Sequence, residues 1–155
     1  VEALCAAGGG GVPEGMAQVW RARAVATEAE RADAWMRAAT LLPIDHPWAA
    51  LAAAEAARPL LADLPPGQAA DPADAHQQRR LAQAITLLAG PARGADAQAC
   101  RCRFLLAQAF AQAGRVPEAE ASLGSLPAEG DARRQDVLRE FRLCLKEQVE
   151  QGSER

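Results

Sequence analysis

Tyrosine is absent from this 155-residue chain, which carries only three tryptophans and three phenylalanines. β-Branched residues are nearly as scarce, with seven Val, two Ile and three Thr. Sheets rely on these residue types to fill their pleated faces, so all-β and most α/β designs are excluded. Lysine is almost missing as well: 16 of the 17 basic residues are Arg. That bias fits a GC-rich, bacterial genome better than any particular chemistry. No basic stripe is concentrated anywhere and the formal net charge is −3, so the electrostatic footprint of a nucleic-acid binder is lacking. The longest apolar stretch, Trp48 to Ala54, falls far short of the roughly 20 residues of a membrane span. Val1 to Gly11 lacks the basic and apolar regions of a signal peptide. That leaves the compartment open, with the cytoplasm slightly favoured over the periplasm.

What fills the chain instead is alanine, 39 residues of it. Alanine is the strongest helix former, and a chain of this length can build one ordinary domain with a real core. Alanine also inflates the hydrophobic fraction of 50%. Large core side chains are therefore few, and the helices must approach one another closely.

Residues 1–12, with the run Gly8 to Gly11, read as a flexible leader. A single helical domain is expected over 13–150 and a frayed tail over 151–155. Pro13 suits the first turn of a helix, and Met16, Val19 and Trp20 form its apolar stripe. Thr27-Glu28-Ala29-Glu30 fits a capping box, which splits this segment into two antiparallel helices. The second turns Ala32, Trp35, Met36 and Ala39 inward and ends at Leu42-Pro43. Asp45 is the expected N-cap of a third helix, which Pro59 limits to about Ala57. Leu64 to Ala70, with Pro65-Pro66-Gly67, is the clearest loop. Asp71-Pro72 then opens a fourth helix bearing Leu81, Ala84, Ile85 and Leu88, and Gly90-Pro91 stops it. Asp96 begins a fifth helix that Gly114 ends, a sixth runs from Pro117 to Leu126, and Asp131 caps the last. In that last helix Val137, Leu138, Phe141, Cys144, Leu145 and Val149 point inward, while Arg139, Glu140, Arg142 and Glu147 point to water. The total is seven helices joined by mostly short loops, the pattern of antiparallel helical hairpins.

Helix starts that follow longer loops fall near 13, 46, 97 and 131, so the outer intervals are close to a 34-residue helix–turn–helix period. The residues Leu106-Ala107, Phe110, Gly114 and Glu118-Ala119 carry the matching pattern. A small residue permits close helix approach, the aromatic fills the gap between hairpin arms, and glycine permits the tight turn. This segment resembles a tetratricopeptide repeat (TPR). Leu41 to Pro47 is similar to that family's inter-repeat corner, although Glu30-Arg31 stands where Glu-Ala is usual. The resemblance implies an all-α fold: an α-α superhelix of about three helix-turn-helix repeats plus a C-terminal capping helix, which covers the apolar face of the last repeat.

Catalytic constellations are thin. His46, between Asp45 and Pro47, and His76, beside Asp74, have no partner that the sequence brings near them. Gly8 to Gly11 follows no strand and precedes no Lys-Ser/Thr, so it is no phosphate loop. Carboxylate pairs such as Glu118/Glu120 and Asp71/Asp74 sit at helix N-termini, where the macrodipole accounts for them. Zinc-ligand spacing is lacking, and Ser122, Ser125 and Ser153 have no nucleophile-elbow context. The four cysteines are Cys5, Cys100, Cys102 and Cys144. Cys100 and Cys102 point about 200° apart around a helix and cannot readily bond each other. Buried thiols lead, with a bridge from Cys144 to one of the pair, or metal or redox chemistry, as alternatives. No cofactor, metal or enzymatic activity is expected.

These observations favour a non-catalytic protein–protein interaction module that holds a partner protein or peptide in the concave face of a short TPR-like solenoid. Arginines gather on the fifth and seventh helices. In the TPR family some members clamp a partner's C-terminal carboxylate on first-arm helices. Here the candidate groove residues are Arg103, Phe104 and Gln108 with Arg139 and Arg142. That clamp uses Lys, Asn and Arg, and of Phe104, Gln108 and Arg139 only the last is of the expected type. Arginine can pair with acidic partner groups, and Phe104 offers an apolar anchor. Two alternatives are a structural subunit of a larger assembly and a helical small-ligand domain with a pocket lined by Trp20, Trp35 and Trp48.

Overall fold

A computed structural model describes residues 11–65, 67–127 and 132–153. Within them the chain forms seven α-helices and no strand: α1 (Val12–Ala24), α2 (Glu28–Leu41), α3 (Ala49–Leu61), α4 (Ala75–Ala89), α5 (Ala97–Gln112), α6 (Val116–Gly124) and α7 (Ala132–Ser153). A single 3₁₀ turn, Pro91–Arg93, separates α4 from α5. Each helix packs on its neighbours in sequence, and α3 also packs on α5. The expected leader 1–12 and the Asp131 cap fall largely or wholly outside the described residues.

Several helix ends are set by the expected local chemistry. The Thr27 hydroxyl accepts the Glu30 N–H and starts α2. The Asp96 carboxylate accepts the Ala99 N–H at 2.8 Å and starts α5. At the end of α5, Gly114 takes φ +76°, a left-handed conformation that costs other residues about 1–2 kcal/mol. Arg115 N–H then donates to Phe110 O at 2.8 Å and Gly114 N–H to Ala111 O at 3.1 Å, the two bonds of a Schellman cap. The side-chain contact that accompanies such caps is here a cation–π pair, with the Arg115 guanidinium 4.7 Å from the Phe110 ring centre.

Other ends differ from expectation. Asp45 does not cap α3. The helix begins after Trp48, with no side chain capping it, and the Trp48 N–H donates to His46 Nδ1 at 3.2 Å. Nor does Asp71 cap α4. Asp74 accepts the Gln77 N–H, while Asp71 folds onto the Ala73 N–H in an Asx turn. Helix α3 runs through Pro59 to Leu61 rather than ending near Ala57. Pro59 is exposed and lies in the last turn, so it gives up the N–H that would have bonded the Glu55 carbonyl and crowds that carbonyl only near the helix end. Burial of Leu61, together with Gln112 donating to its carbonyl at 3.0 Å, holds the last turn in place. Helix α7 likewise continues to Ser153, past the point where fraying is expected to begin.

Of the thirty buried apolar residues among those described, eighteen are alanine. One cluster joins α1, α2 and α3 through Val19, Trp35, Ala38, Ala52 and Ala56. A second joins α3, α4 and α5 through Ala54, Ala57, Leu81, Leu88, Leu105 and Ala109. A third joins α5, α6 and α7 through Ala107, Ala111, Ala119, Leu123, Phe141 and Leu145. In α7 only Phe141 and Leu145 are fully buried. Leu138 and Cys144 are half-buried, whereas Val137 and Val149, expected inside, are 38% and 49% exposed. The helix lies against one neighbour layer, so its buried stripe is a narrow i, i+4 seam.

The order of contacts gives these layers a direction. Cys102 meets the Ala50 carbonyl and Gln112 meets the Leu61 carbonyl, sequence separations of 52 and 51. Phe104 meets Phe141, and Gln148 reaches the Ala111 carbonyl at a separation of 37 in both cases. Constant separation means that α3, α5 and α7 run parallel, side by side. The Pro65–Ala70 segment lengthens the first step and also fastens the second. Its Ala70 N–H donates to Gln112 O at 2.7 Å, and Gln148 Nε2 donates to Gly67 O. Gly67 takes φ +86°, and a Cβ there would stand 2.6 Å from Cys144 Cβ and 2.9 Å from Phe141 O. Glycine is required so that this loop can lie directly on α7.

Candidate partner-binding site

Among the clefts formed by the described residues, two differ in chemistry. One, of about 600 Å³, lies between the N-terminal halves of α5 and α7. Helix α5 contributes Ala97, Cys100, Arg101 and Phe104 to it, and α7 contributes Arg133, Arg134 and Val137, with Pro127 nearby. Its local cause is the Phe104–Phe141 pair, which meets edge to face with ring centres 5.8 Å apart and planes at 67°. Two aromatic rings hold the parallel helices further apart than alanines would, and toward the helix N-termini no bulky side chain of a described residue fills the gap. Three of the lining side chains are guanidinium groups, and none of the described ones is a carboxylate.

The other cleft, of about 650 Å³, lies between α2 and α3. Trp35 borders it, and its charges balance: Glu28 and Glu55 against Arg31 and Arg58. Several of those charges are already engaged. Arg58 lies 3.8 Å from Glu55, and the Arg31 guanidinium donates to the Val25 carbonyl.

The structure separates the expected partner-binding residues. Phe104 is half-buried in the α5/α7 cleft, as the groove reading requires. Gln108 is buried instead, and its amide donates to the Leu61 carbonyl at 3.4 Å, so it serves the α3/α5 seam. Arg103 bends back along its own helix. Its Nη1 donates to Gly94 O at 3.1 Å and its Nη2 meets Cys100 Sγ at 2.8 Å, while its Nε is buried with no hydrogen-bond partner among the described residues. Arg139 is exposed and pairs with Asp136 at 3.3 Å, and Arg142 is exposed on the same helix. Neither lines the cleft. The arginines that do line it on α7, Arg133 and Arg134, lie one turn before Val137, and that i, i+3, i+4 spacing is the sequence signal that marks them. Arg101, also in the cleft, is half-buried and bonded to Glu55 at 2.7 Å.

The tryptophans do not form one pocket. Trp20 is 52% exposed, and the Arg23 guanidinium sits between it and Trp48, 5.8 and 5.5 Å from the two ring centres. Trp35 is buried in the α1–α3 core and reaches only the α2/α3 cleft. His76 is exposed in the first turn of α4, and His46 accepts the Trp48 N–H just before α3. Cys100, Cys102 and Cys144 are free thiols, and Cys5 lies outside the described residues. Burial pushes the Cys102 thiol up to about 11, against the opposing pull of Arg101, which makes it a packing residue rather than a nucleophile. Among the described residues no three His, Cys, Asp or Glu side chains converge as metal ligands. No described helix is long and apolar enough to cross a membrane.

Comparison with known proteins gives no match: no family model fits the chain, and neither a curated protein nor a solved structure aligns with it significantly.

Proposed function

We propose that this chain is a non-catalytic protein-interaction module, a short TPR-like solenoid that holds a segment of a partner protein on the face formed by its parallel first arms. The observation that carries this reading is the open cleft between α5 and α7, where the half-buried Phe104 and the exposed Val137 lie beside three arginines. A fold built from stacked helical hairpins offers such seams as extended binding surfaces, and an aromatic beside arginines is the composition of interface anchors. Two features support the TPR-like arrangement: the parallel run of α3, α5 and α7, and the Schellman turn at Gly114 between α5 and α6.

A photo-crosslinking residue placed at Ala97, exposed within the cleft, tests the reading in extract of the source cell. Crosslinking to a defined partner from Ala97, and not from Glu120 on the exposed face of α6, is the expected result. Equal labelling from both positions, or none from either, overturns it. A structural subunit would instead crosslink from several faces and form larger particles as concentration rises.

A further inference from the structure

We infer that the stack of Trp20, Arg23 and Trp48 is a second contact point, which receives an Asp or Glu side chain of a partner segment with an aromatic or aliphatic residue beside it. None of the three lines either cleft, and the interaction-module reading enters only as the source of the ligand. Trp20, on α1, is 52% exposed, and Trp48, just before α3, is half-buried. The Arg23 guanidinium stands 5.8 and 5.5 Å from the two ring centres. Those are its only contacts of this kind: among the described residues Arg23 has no hydrogen bond and no ion pair.

The same chain shows how a ring-held arginine is satisfied. Arg115 lies 4.7 Å from the Phe110 ring centre and also donates its Nε to Glu118 at 3.0 Å, a carboxylate three residues further on. The places three and four residues from Arg23 hold Val19, Trp20, Ala26 and Thr27, so its neighbours on the helix supply no carboxylate. The C-terminus of α1 offers it only partial negative charge. With rings at its faces, the guanidinium keeps its N–H edges open, and a carboxylate pairs with such an edge bidentately. Exposed ion pairs are weak in part because long side chains must be ordered to form them. Here the two rings already hold the arginine. The exposed indole of Trp20 gives the ligand's apolar residue a surface to cover, and Trp with Arg is the composition that dominates interface energetics. The carboxylate meant is a side chain within a segment, and no free chain terminus takes part.

The probe is the N-acetylated, C-amidated peptide Ala-Glu-Phe-Ala, titrated into the isotope-labelled full chain and followed by NMR through the indole N–H signals of Trp20, Trp48 and Trp35. The first two should shift saturably, while Trp35, buried in the core, stays still. Arg23→Gln, or Gln in place of the peptide's Glu, should weaken binding about tenfold, the scale of a charge-assisted pair. Trp20→Ala, or Ala in place of the peptide's Phe, should weaken it about fivefold, as loss of an interface aromatic does. Arg139→Gln, on α7 and paired with Asp136, should leave binding within about twofold, as surface changes elsewhere do. Trp20 and Arg23 are exposed, so their variants keep the helices, which circular dichroism checks. Equal binding by Arg23→Gln or of the Gln peptide overturns the pairing, and equal binding of the Phe-to-Ala peptide overturns the ring contact. Equal shifts of all three indoles overturn the site. If no indole shifts while Ala97 still crosslinks to a partner, this contact point falls and the module reading stands. If the peptide binds as expected and Ala97 crosslinks nothing, the contact point stands and the cleft reading falls.

Discussion

Between α3 and α5 the parallel first arms meet through Ala53, Ala54, Ala57, Cys102, Leu105 and Ala109, all buried. Between α5 and α7 they meet through Ala107, Ala111, Phe141 and Leu145, with Phe104 standing edge-on to Phe141. Alanines on α3 close the first seam against Cys102, Leu105 and Ala109, with Gln108 and Gln112 donating to the Leu61 carbonyl across it. In the second, small residues on α5 receive a phenylalanine and a leucine from α7, and the aromatic pair acts as a spacer. The same architecture therefore yields a shut seam where alanines line one side and an open cleft where rings intervene. Side-chain volume at a few crossing points decides which faces become binding surface.

Phe141→Ala should break the comparison most severely. It removes the largest fully buried side chain and the ring that positions Phe104, at a cost of about 3–5 kcal/mol. Urea unfolding should show the midpoint falling and α7 exchanging its amide protons early. A loss below about 1 kcal/mol would mean that α7 is held chiefly by the loop at Gly67. That contact has its own test. Gly67→Ala and Gly114→Ala both place alanine at positive φ, which alone costs about 1–2 kcal/mol. At Gly114 a Cβ meets nothing within 4 Å, while at Gly67 it meets Cys144 Cβ and the Phe141 carbonyl. The Gly67 variant should thus lose clearly more stability than the Gly114 variant. Equal losses would show that the loop does not bear on α7.

In the closed seam, Ala54→Leu should cost about 1–3 kcal/mol through overpacking, since Ala54 is fully buried there. Cys102, in the same seam, gives a pH-dependent reading. Burial pushes its thiol up from an ordinary value of 9.0 to about 11, so between those values the unfolded chain has released a proton that the folded chain retains. Stability should therefore be unaffected below about pH 9 and decline as pH rises toward 11. Denaturation midpoints of wild type and Cys102→Ala across that range check it: the wild type should decline more steeply. Parallel declines would place the thiol in contact with water.

How far the sequence discloses this arrangement depends on the range of the interactions involved. Thr27, Asp96 and Gly114 are legible because each satisfies backbone groups within a few residues of itself. Asp71 misleads because a competing cap residue, Asp74, lies three positions on, and Asp45 because α3 starts only after Trp48, three residues beyond it, with no side-chain cap. Pro59 misleads because a missing N–H at an exposed position near a helix end is outweighed by the burial of Leu61. The role of Gln108 is not readable at all, since its acceptor is a carbonyl 47 residues away. The same holds for Gly67, whose partner helix begins more than sixty residues later. Within the candidate site, Phe104 is legible from its place on a first-arm helix. Arg103 is drawn out of the groove by the Gly94 carbonyl and Cys100, and Arg139 is set apart from Arg133 and Arg134 only once the azimuth of α7 is known, which the Phe104–Phe141 contact sets.

The smallest effect sharpens the comparison between the two clefts, because a single ion pair joins them. Glu55 lines the α2/α3 cleft and Arg101 the α5/α7 cleft, and they meet at 2.7 Å with both side chains about a quarter to a third exposed. Glu55→Gln keeps the side chain's shape but withdraws the charge, so stability should fall by less than about 1 kcal/mol, the range of a part-exposed ion pair. The loss should shrink at high salt, where the attraction is screened, and it should be absent in an Arg101→Gln background, where the partner charge is already gone. Urea midpoints of the single and double variants check it. A loss that persists in the Arg101→Gln background would show that Glu55 acts through Arg58, 3.8 Å away in its own cleft, rather than through the pair that joins the two.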